Sequence, residues 1–305
     1  MFNESWFWIF NLAITLLLIL DLSLFHGTKK HEISVREALC MSGCWILIAL
    51  LFNIGVYYVR GAEDALNFLT GYLVEKSLSV DNLFVFYLIF THFQVPTSYL
   101  HKVLFWGIFG AIVLRALFLL GGIALIQHFH QVIYLFGVFL LIAGIKLVFK
   151  KEKEIEPGSL LIVRGFKKIF PVIPRFCGDK FFVKQEGKHF ATLLFLVLIT
   201  IESTDLLFAM DSIPAIIGIT EDPFIVYTSN ILAILGLRSL YFALSHMIPL
   251  FHYLHYGLAL ILIFIGVKIL LSAYITIPIF LSLSIIISIL LVSILLSKIR
   301  VNIFF

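Results

Sequence analysis

The sequence predicts an all-α, polytopic transmembrane bundle of about nine helices that contains an inverted three-helix repeat. Its composition is the first reason: 61% of the 305 residues are hydrophobic and 13% are charged, whereas soluble domains carry about 25% charged residues. The mean hydropathy of +1.09 points the same way. The second reason is a series of apolar stretches close to the ~20 residues that cross a bilayer. The third is a carboxylate-bearing motif that occurs twice.

The apolar stretches divide the chain into spans separated by polar turns. In chain order the predicted spans cover about residues 6–25, 38–59, 66–90, 103–126, 132–149, 190–211, 224–244, 253–271 and 279–296. No Lys or Arg precedes the first span and no small-residue cleavage site follows it, so we interpret it as a retained helix. The segment 150–188 is hydrophilic, with ten Lys or Arg and five Asp or Glu. Its apolar residues predict that it lies along the membrane surface or packs on the helices.

The distribution of basic residues predicts which end of each span faces the cytoplasm. The turns at 26–37 and 150–188 and the C-terminal end are basic. The turns at 60–64, 127–131 and 212–222 are not, apart from Arg60. Because Lys and Arg accumulate in cytoplasmic loops, we expect the N-terminus outside and the C-terminus in the cytoplasm.

Two parts of the chain resemble each other in register. The matching segments are 79–84 (SVDNLF) with 203–208 (STDLLF), 114–118 (LRALF) with 237–241 (LRSLY), and 144–147 (GIKL) with 266–269 (GVKI). The spacing is nearly conserved: Arg115 and Lys146 follow Asp81 by 34 and 65 residues, and Arg238 and Lys268 follow Asp205 by 33 and 63. Since three crossings separate the two motif helices, they run in opposite directions. Transporters with such inverted repeats bind substrate between them near the midplane.

This duplication gives the predicted division of the chain. We expect two N-terminal transmembrane helices (1–62), repeat A (63–149), a basic cytoplasmic loop (150–189), repeat B (190–272) and a C-terminal transmembrane helix (273–305).

The stretch 199–215 (ITIESTDLLFAMDSIPA) places three carboxylates inside an otherwise apolar span. A charge there costs roughly 2.5–3.5 kcal/mol on insertion scales, so intramembrane acids indicate a functional site. Glu202 and Asp205 are three residues apart and share one helix face. Pro214 removes a backbone donor and disfavours helix before it, so we expect the helix to end or break near Asp211.

The polar residues of both repeats form a candidate metal site. The predicted ligands are Glu75, Asp81, Asn82, Glu202, Asp205 and Asp211, and the predicted charge-balancing residues are Arg115, Arg238, Lys146 and Lys268. No His or Cys lies beside the acids, and an all-oxygen set favours hard divalent cations such as Mn²⁺, Mg²⁺ or Ca²⁺. Burial favours the protonated carboxyl group, so protons are a candidate counter-ion.

Several alternatives stay open at this point. Asp81–Arg115 and Asp205–Arg238 could be ion pairs that only hold the bundle together, although Glu202 and Asp211 would then be left over. An oxyanion site on the basic residues is disfavoured by the surrounding acids. A non-transporting scaffold that recruits partners through the 150–188 loop is a rival function. We find no nucleophile elbow, phosphate loop or HExxH helix, so we expect no enzyme and no cofactor, and the charge of +4 requires no nucleic-acid partner.

Three segments resemble the TerC family of bacterial membrane proteins, named for tellurium resistance and including the Alx proteins. They are 71–86 (GYLVEKSLSVDNLFVF), 202–216 (ESTDLLFAMDSIPAI) and 227–241 (YTSNILAILGLRSLY), within a resemblance that covers about residues 20–272. The resemblance implies an inner-membrane protein of the LysE-like transporter group, with Mn²⁺ export in the Alx-like branch. It also implies links to tellurite resistance and alkaline response, and it places the six predicted ligands along the transport path.

Overall fold

The chain folds as a helical bundle, which confirms the all-α prediction. The computed structural model describes residues 4–26, 34–129, 131–149, 165–166, 170–185, 188–244, 253–272, 274–275 and 277–304. Its helices are α1 (Glu4–His26), α2 (Val35–Arg60), α3 (Ala62–His92), α4 (Thr97–His128), α5 (Val132–Phe149), α6 (Leu193–Ile217), α7 (Pro223–Ile234), α8 (Leu237–Leu244), α9 (Leu254–Leu271) and α10 (Ile279–Phe304). The apolar stretches of the sequence thus become helices, because a helix satisfies its own backbone groups in lipid.

Within the described ranges, five helical segments are long and apolar enough to cross a membrane. They are Val35–Arg60, Thr97–Leu119, Leu193–Ile217, Pro223–Ala243 and Ile279–Ile299. Shorter apolar helices occupy Trp6–Ile19, Ile133–Phe149 and His255–Leu271. Many large apolar side chains of α2 and α10 are exposed, as expected for a surface that faces lipid rather than water.

The two predicted repeats pack into each other rather than side by side. Helix α3 packs against α6 and α7, whereas α4 packs against α6, and α5 packs against α9. The first helix of each predicted repeat therefore contacts the first and the middle helix of the other. This interleaving places the motif helices α3 and α6 in the interior of the bundle.

The contact between α5 and α9 depends on one glycine from each helix. A Cβ added to Gly144 would lie 2.8 Å from the carbonyl oxygen of Ala259, and a Cβ added to Gly266 would lie 2.8 Å from the carbonyl oxygen of Gly137. Gly144 thus contacts the residue seven positions before Gly266, and Gly266 contacts the residue seven positions before Gly144. The same contact is made twice, with the chain directions opposed, so α5 and α9 cross as an antiparallel pair.

We expect Gly266→Ala to destabilise the bundle by about 1–3 kcal/mol, because the added methyl group meets backbone atoms that cannot move aside. Thermal unfolding in detergent measures this effect. Gly43→Ala is the matched control: a Cβ there meets nothing within 4 Å, and Ala favours helix over Gly by about 1 kcal/mol. Equal unfolding temperatures for Gly266→Ala and the native chain would contradict the close contact.

Helix α6 does not break near Asp211, so that prediction is wrong. The helix continues through Pro214 to Ile217. Pro214 lies in the last turn, where the loss of one backbone donor interrupts little of the helix, and its own carbonyl oxygen accepts from Gly218 N at 2.9 Å. Because the helix is continuous, positions 205 and 211 lie on different faces of α6.

The seventh predicted span is interrupted, although the sequence predicts one helix over 224–244. Helix α7 ends at Ile234, and α8 begins at Leu237. Between them Gly236 has φ +81°, a conformation that favours glycine. A Cβ on Gly236 would also lie 2.8 Å from the ring of Trp45. Both the turn and the close approach of α2 therefore require glycine at this position.

A small sheet precedes α6, where the sequence predicts only a basic loop and a span beginning near 190. The strands β1 (Val172–Ile173), β2 (Phe182–Gln185) and β3 (Lys188–Thr192) are ordered β1-β3-β2. Strand β3 pairs parallel with β1 and antiparallel with β2, and it continues directly into α6. Phe166, Phe181 and Phe182 pack on Phe195 of α6, in agreement with a loop that packs on the helices. Residues 150–164 lie outside the described part of the chain.

Candidate functional site

The centre of the bundle holds a buried cluster of one guanidinium and two carboxylates. Arg115 of α4 donates from Nε to Asp205 Oδ2 at 3.2 Å and from Nη2 to Asp205 Oδ1 at 3.0 Å. Its Nη1 donates to Glu75 Oε1 and, at 3.3 Å, to Ser212 Oγ. Arg115 and Glu75 are fully buried, and Asp205 is 1% exposed. The forked geometry of arginine suits this two-point contact with a carboxylate.

The charges of the cluster do not balance. Counted by formal charge, Glu75 and Asp205 contribute −2 and Arg115 contributes +1, which leaves −1 in a buried place. Glu75 Oε2 is buried and has no hydrogen-bond partner among the described residues. An unpaired buried carboxylate oxygen is costly unless a cation or a proton joins it. The site can therefore accept one further positive charge.

Glu202 lies one helical turn before Asp205 on α6 and faces α4. A Cβ on Gly110 would overlap the Glu202 carboxylate, so glycine at this position is what admits the side chain. Glu202 Oε2 is buried and lacks a hydrogen-bond partner among the residues described. The two acids predicted to share one face of α6 therefore both face neighbouring helices, and Glu202 retains a free acceptor.

A cavity of about 490 Å³ lies beside the cluster. Its polar lining residues are Asn82, Lys146 and Ser212, and its apolar lining comes mainly from α5 and α9. Ser212 also accepts from Arg115. Through Ser212 the cavity therefore reaches Arg115, which binds the two carboxylates. Lys146, which also lines the cavity, is exposed.

The predicted charge-balancing residues lie in different surroundings. Arg115 bonds to Asp205 of the other repeat and to Glu75, so Asp205 pairs with Arg115 and not with the arginine of its own repeat, Arg238. Arg238 is buried at the start of α8 and lines a small cavity. Lys268 is half-buried in α9.

Of the predicted ligands whose side chains the structure describes, Glu75 and Asp205 meet at Arg115. In the described ranges, no three His, Cys, Asp or Glu residues lie close enough together to hold a metal ion. The physical reason is that Arg115 itself binds Glu75 and Asp205. Asp81 and Asp211 lie within α3 and α6, but their side chains are outside the described part of the structure.

Sequence reasoning did not identify the surroundings of two polar residues in this region. Lys76, next to Glu75 on α3, donates from Nζ to the carbonyl oxygens of Ala233 at 3.2 Å and Leu235 at 3.5 Å. Asn230 of α7 is fully buried, and neither amide atom has a partner within the described ranges. The sequence shows a lysine and an asparagine within apolar spans, but it does not show the helix break whose carbonyl groups bind Lys76.

The comparisons with known proteins identify the group to which this fold belongs. Residues 60–302 match the model of the "Integral membrane protein TerC family". The chain is 46% identical over 284 residues to "Uncharacterized membrane protein STKORF319" of Myxococcus xanthus, covering 93% of this chain and 89% of that protein. A Rickettsia bellii protein named "Uncharacterized membrane protein" is 45% identical over 300 residues, covering 98% of each chain.

Other relatives carry a more specific name. The "Putative membrane-bound redox modulator Alx" of Escherichia coli is 42% identical over 289 residues, covering 92% of this chain and 90% of that protein. No solved structure matches the chain. Because the family model covers most of the chain and the relatives are aligned over nearly their full length, the chain belongs to the TerC family of integral membrane proteins.

Proposed function

We propose that this protein exports a hard divalent cation, with Mn²⁺ as the first candidate, from the bacterial cytoplasm through a carboxylate site between inverted repeats. The observation that carries the proposal is the buried cluster of Glu75, Arg115 and Asp205, which has one carboxylate more than its guanidinium neutralises. Purely structural ion pairs would balance their charges, because an unpaired buried charge is strongly destabilising.

The helix packing supports the inverted repeat on which the proposal depends. Gly144 and Gly266 are equivalent positions of the two sequence repeats, and each makes the same contact with the other's helix. Such reciprocity is expected when a two-fold axis relates two copies that cross in opposite directions. Inverted repeats of this kind bind substrate between them near the bilayer midplane.

In this proposal Arg115 neutralises the site between transport events. It contacts Asp205 through two nitrogen atoms and Glu75 through a third. An arriving cation competes with the guanidinium for these carboxylates, and Glu202, with its free Oε2, lies one turn away to receive the cation or a proton. The two states of the site then differ in whether Arg115 or the cargo satisfies Asp205.

The donor atoms favour a hard cation. Carboxylate, amide and hydroxyl oxygens of Glu75, Asp205, Asn82 and Ser212 surround the cluster and its cavity. The described cysteines, Cys40, Cys44 and Cys177, are free thiols, and none of them lines this cavity. Oxygen sites of this type suit Mn²⁺, Mg²⁺ or Ca²⁺. Asp81 and Asp211 complete the proposed ligand set, and Arg238, Lys146 and Lys268 supply balancing charge.

The proposal is tested by Mn²⁺ flux into proteoliposomes with an imposed pH gradient. We expect the native chain to transport Mn²⁺, and we expect a variant with the 150–188 loop replaced by a neutral linker to retain that flux, because the carboxylates lie outside the loop. Empty liposomes are the control for leakage. No flux from correctly folded native protein would favour the rival function, a scaffold that acts through the loop.

A further inference from the structure

The break between α7 and α8 exposes backbone carbonyl groups in the middle of a buried segment. The segment Pro223–Ala243 is apolar enough to span a membrane, yet its helix stops at Ile234. The last carbonyl groups of any helix have no partner within the helix and carry partial negative charge. In the bilayer they need a donor or a cation, since no lipid group can satisfy them.

Lys76 supplies that positive charge. Its Nζ donates to the carbonyl oxygens of Ala233 and Leu235, at 3.2 and 3.5 Å. Among the residues that the structure describes, no carboxylate lies within ion-pair distance of this ammonium. The partial negative charge on the carbonyl oxygens at the end of α7 therefore balances the Lys76 ammonium within the membrane.

Backbone carbonyl groups at such a break are the donors by which interrupted transporter helices coordinate Na⁺. Both carbonyl groups already bind one positive charge, the Lys76 ammonium.

We propose that the α7–α8 break is a monovalent-cation site that Lys76 occupies with its own ammonium group. This inference adds a second cationic site to the proposed transporter. Glu75 and Lys76 are consecutive on α3, so the ammonium at the break and the carboxylate bound to Arg115 are held by the same turn of helix. Transport by the native chain would then need no free sodium, because its own side chain fills the site.

The test removes the ammonium and offers a free cation instead. In Lys76→Ala the shortened side chain leaves space beside the two carbonyl groups, so Na⁺ should bind there. We expect purified Lys76→Ala to unfold at a temperature at least about 2 °C higher in NaCl than in choline chloride at equal ionic strength, as for a ligand that binds only the folded state. The native chain should show no such difference.

Two further variants sharpen the test. Lys76→Met keeps the volume filled without charge, so sodium should not stabilise it. Lys102→Ala removes a half-buried lysine paired with Asp179 and should behave like the native chain. The test measures the unfolding temperature and not Mn²⁺ flux. Its result therefore decides the sodium-site inference independently of the proposed transport.

Folded Lys76→Ala with equal unfolding temperatures in the two salts would overturn the inference. If Lys76→Ala does not fold, Lys76→Ser, which adds an oxygen ligand, replaces it in the same comparison. Failure of both variants to fold in sodium as well as in choline would also overturn the inference, because the free ion should substitute for the ammonium.

Discussion

Replacing Asp205 with Asn is expected to reduce Mn²⁺ flux at least about 100-fold. The substitution keeps the shape of the side chain but removes its charge, and the remaining Glu75–Arg115 pair is neutral. A divalent cation then loses the excess negative charge that attracts it. Loss of a buried charge partner is worth about 3–5 kcal/mol, and each 1.4 kcal/mol is a factor of ten in binding.

The measurement is initial Mn²⁺ uptake into proteoliposomes that contain equal amounts of folded protein. Asp179→Asn is the matched control, because this carboxylate is exposed and pairs with Lys102 outside the bundle interior. It should leave flux unchanged. Native flux in Asp205→Asn would refute the assignment of this carboxylate to the transport site, whatever the fate of the other ligands.

Replacing Arg115 with Met is expected to cost about 3–5 kcal/mol of folding free energy, because two buried carboxylates then lose their only cationic partner among the described residues. An unfolding entropy of about 2.1 cal/mol/K per residue gives a chain of 305 residues about 1.6 °C per kcal/mol, so the unfolding temperature should fall by roughly 5–8 °C. Thermal unfolding of the purified protein in detergent measures the loss. Arg175→Met, at an exposed position of the loop, should change the unfolding temperature little.

A variant without the two carboxylates distinguishes the loss of a charge partner from a general packing defect. In the double variant Glu75→Gln with Asp205→Asn, removal of the Arg115 charge leaves no carboxylate unpaired in the cluster. We therefore expect Arg115→Met to cost less in that background than in the native chain. An equal cost in both backgrounds would show that Arg115 stabilises the bundle by its volume alone.

Much of the fold could be predicted from the sequence, because in a membrane each helix is determined by the local run of apolar residues. A helix forms wherever an apolar stretch is long enough to satisfy its own backbone groups in lipid, and α5 has the predicted bounds, 132–149. The acids of α3 and α6 also stand out locally, because a charge in an apolar run needs a reason. Glu75 and Asp205 were identified in this way, and both lie in the buried cluster.

Local reasoning failed where a neighbouring helix decides the outcome. Pro214 was expected to break α6, but it lies in the last turn, where little of the helix remains to be broken. The seventh predicted span is interrupted instead, between α7 and α8 at Gly236, which Trp45 of α2 approaches closely. The sheet before α6 was not predicted because its strands have only two to five residues and depend on pairing with each other.

The sequence by itself determined that this is a membrane bundle of the TerC family, with a duplicated motif and carboxylates inside its spans. Only the tertiary structure decided which charges meet. Arg115 binds Asp205, 90 positions away, and Glu75, 40 positions away, because α3, α4 and α6 pack together at the centre of the bundle. Apolar length is encoded within each helix, whereas the partner of a buried charge depends on how helices from distant parts of the chain come together.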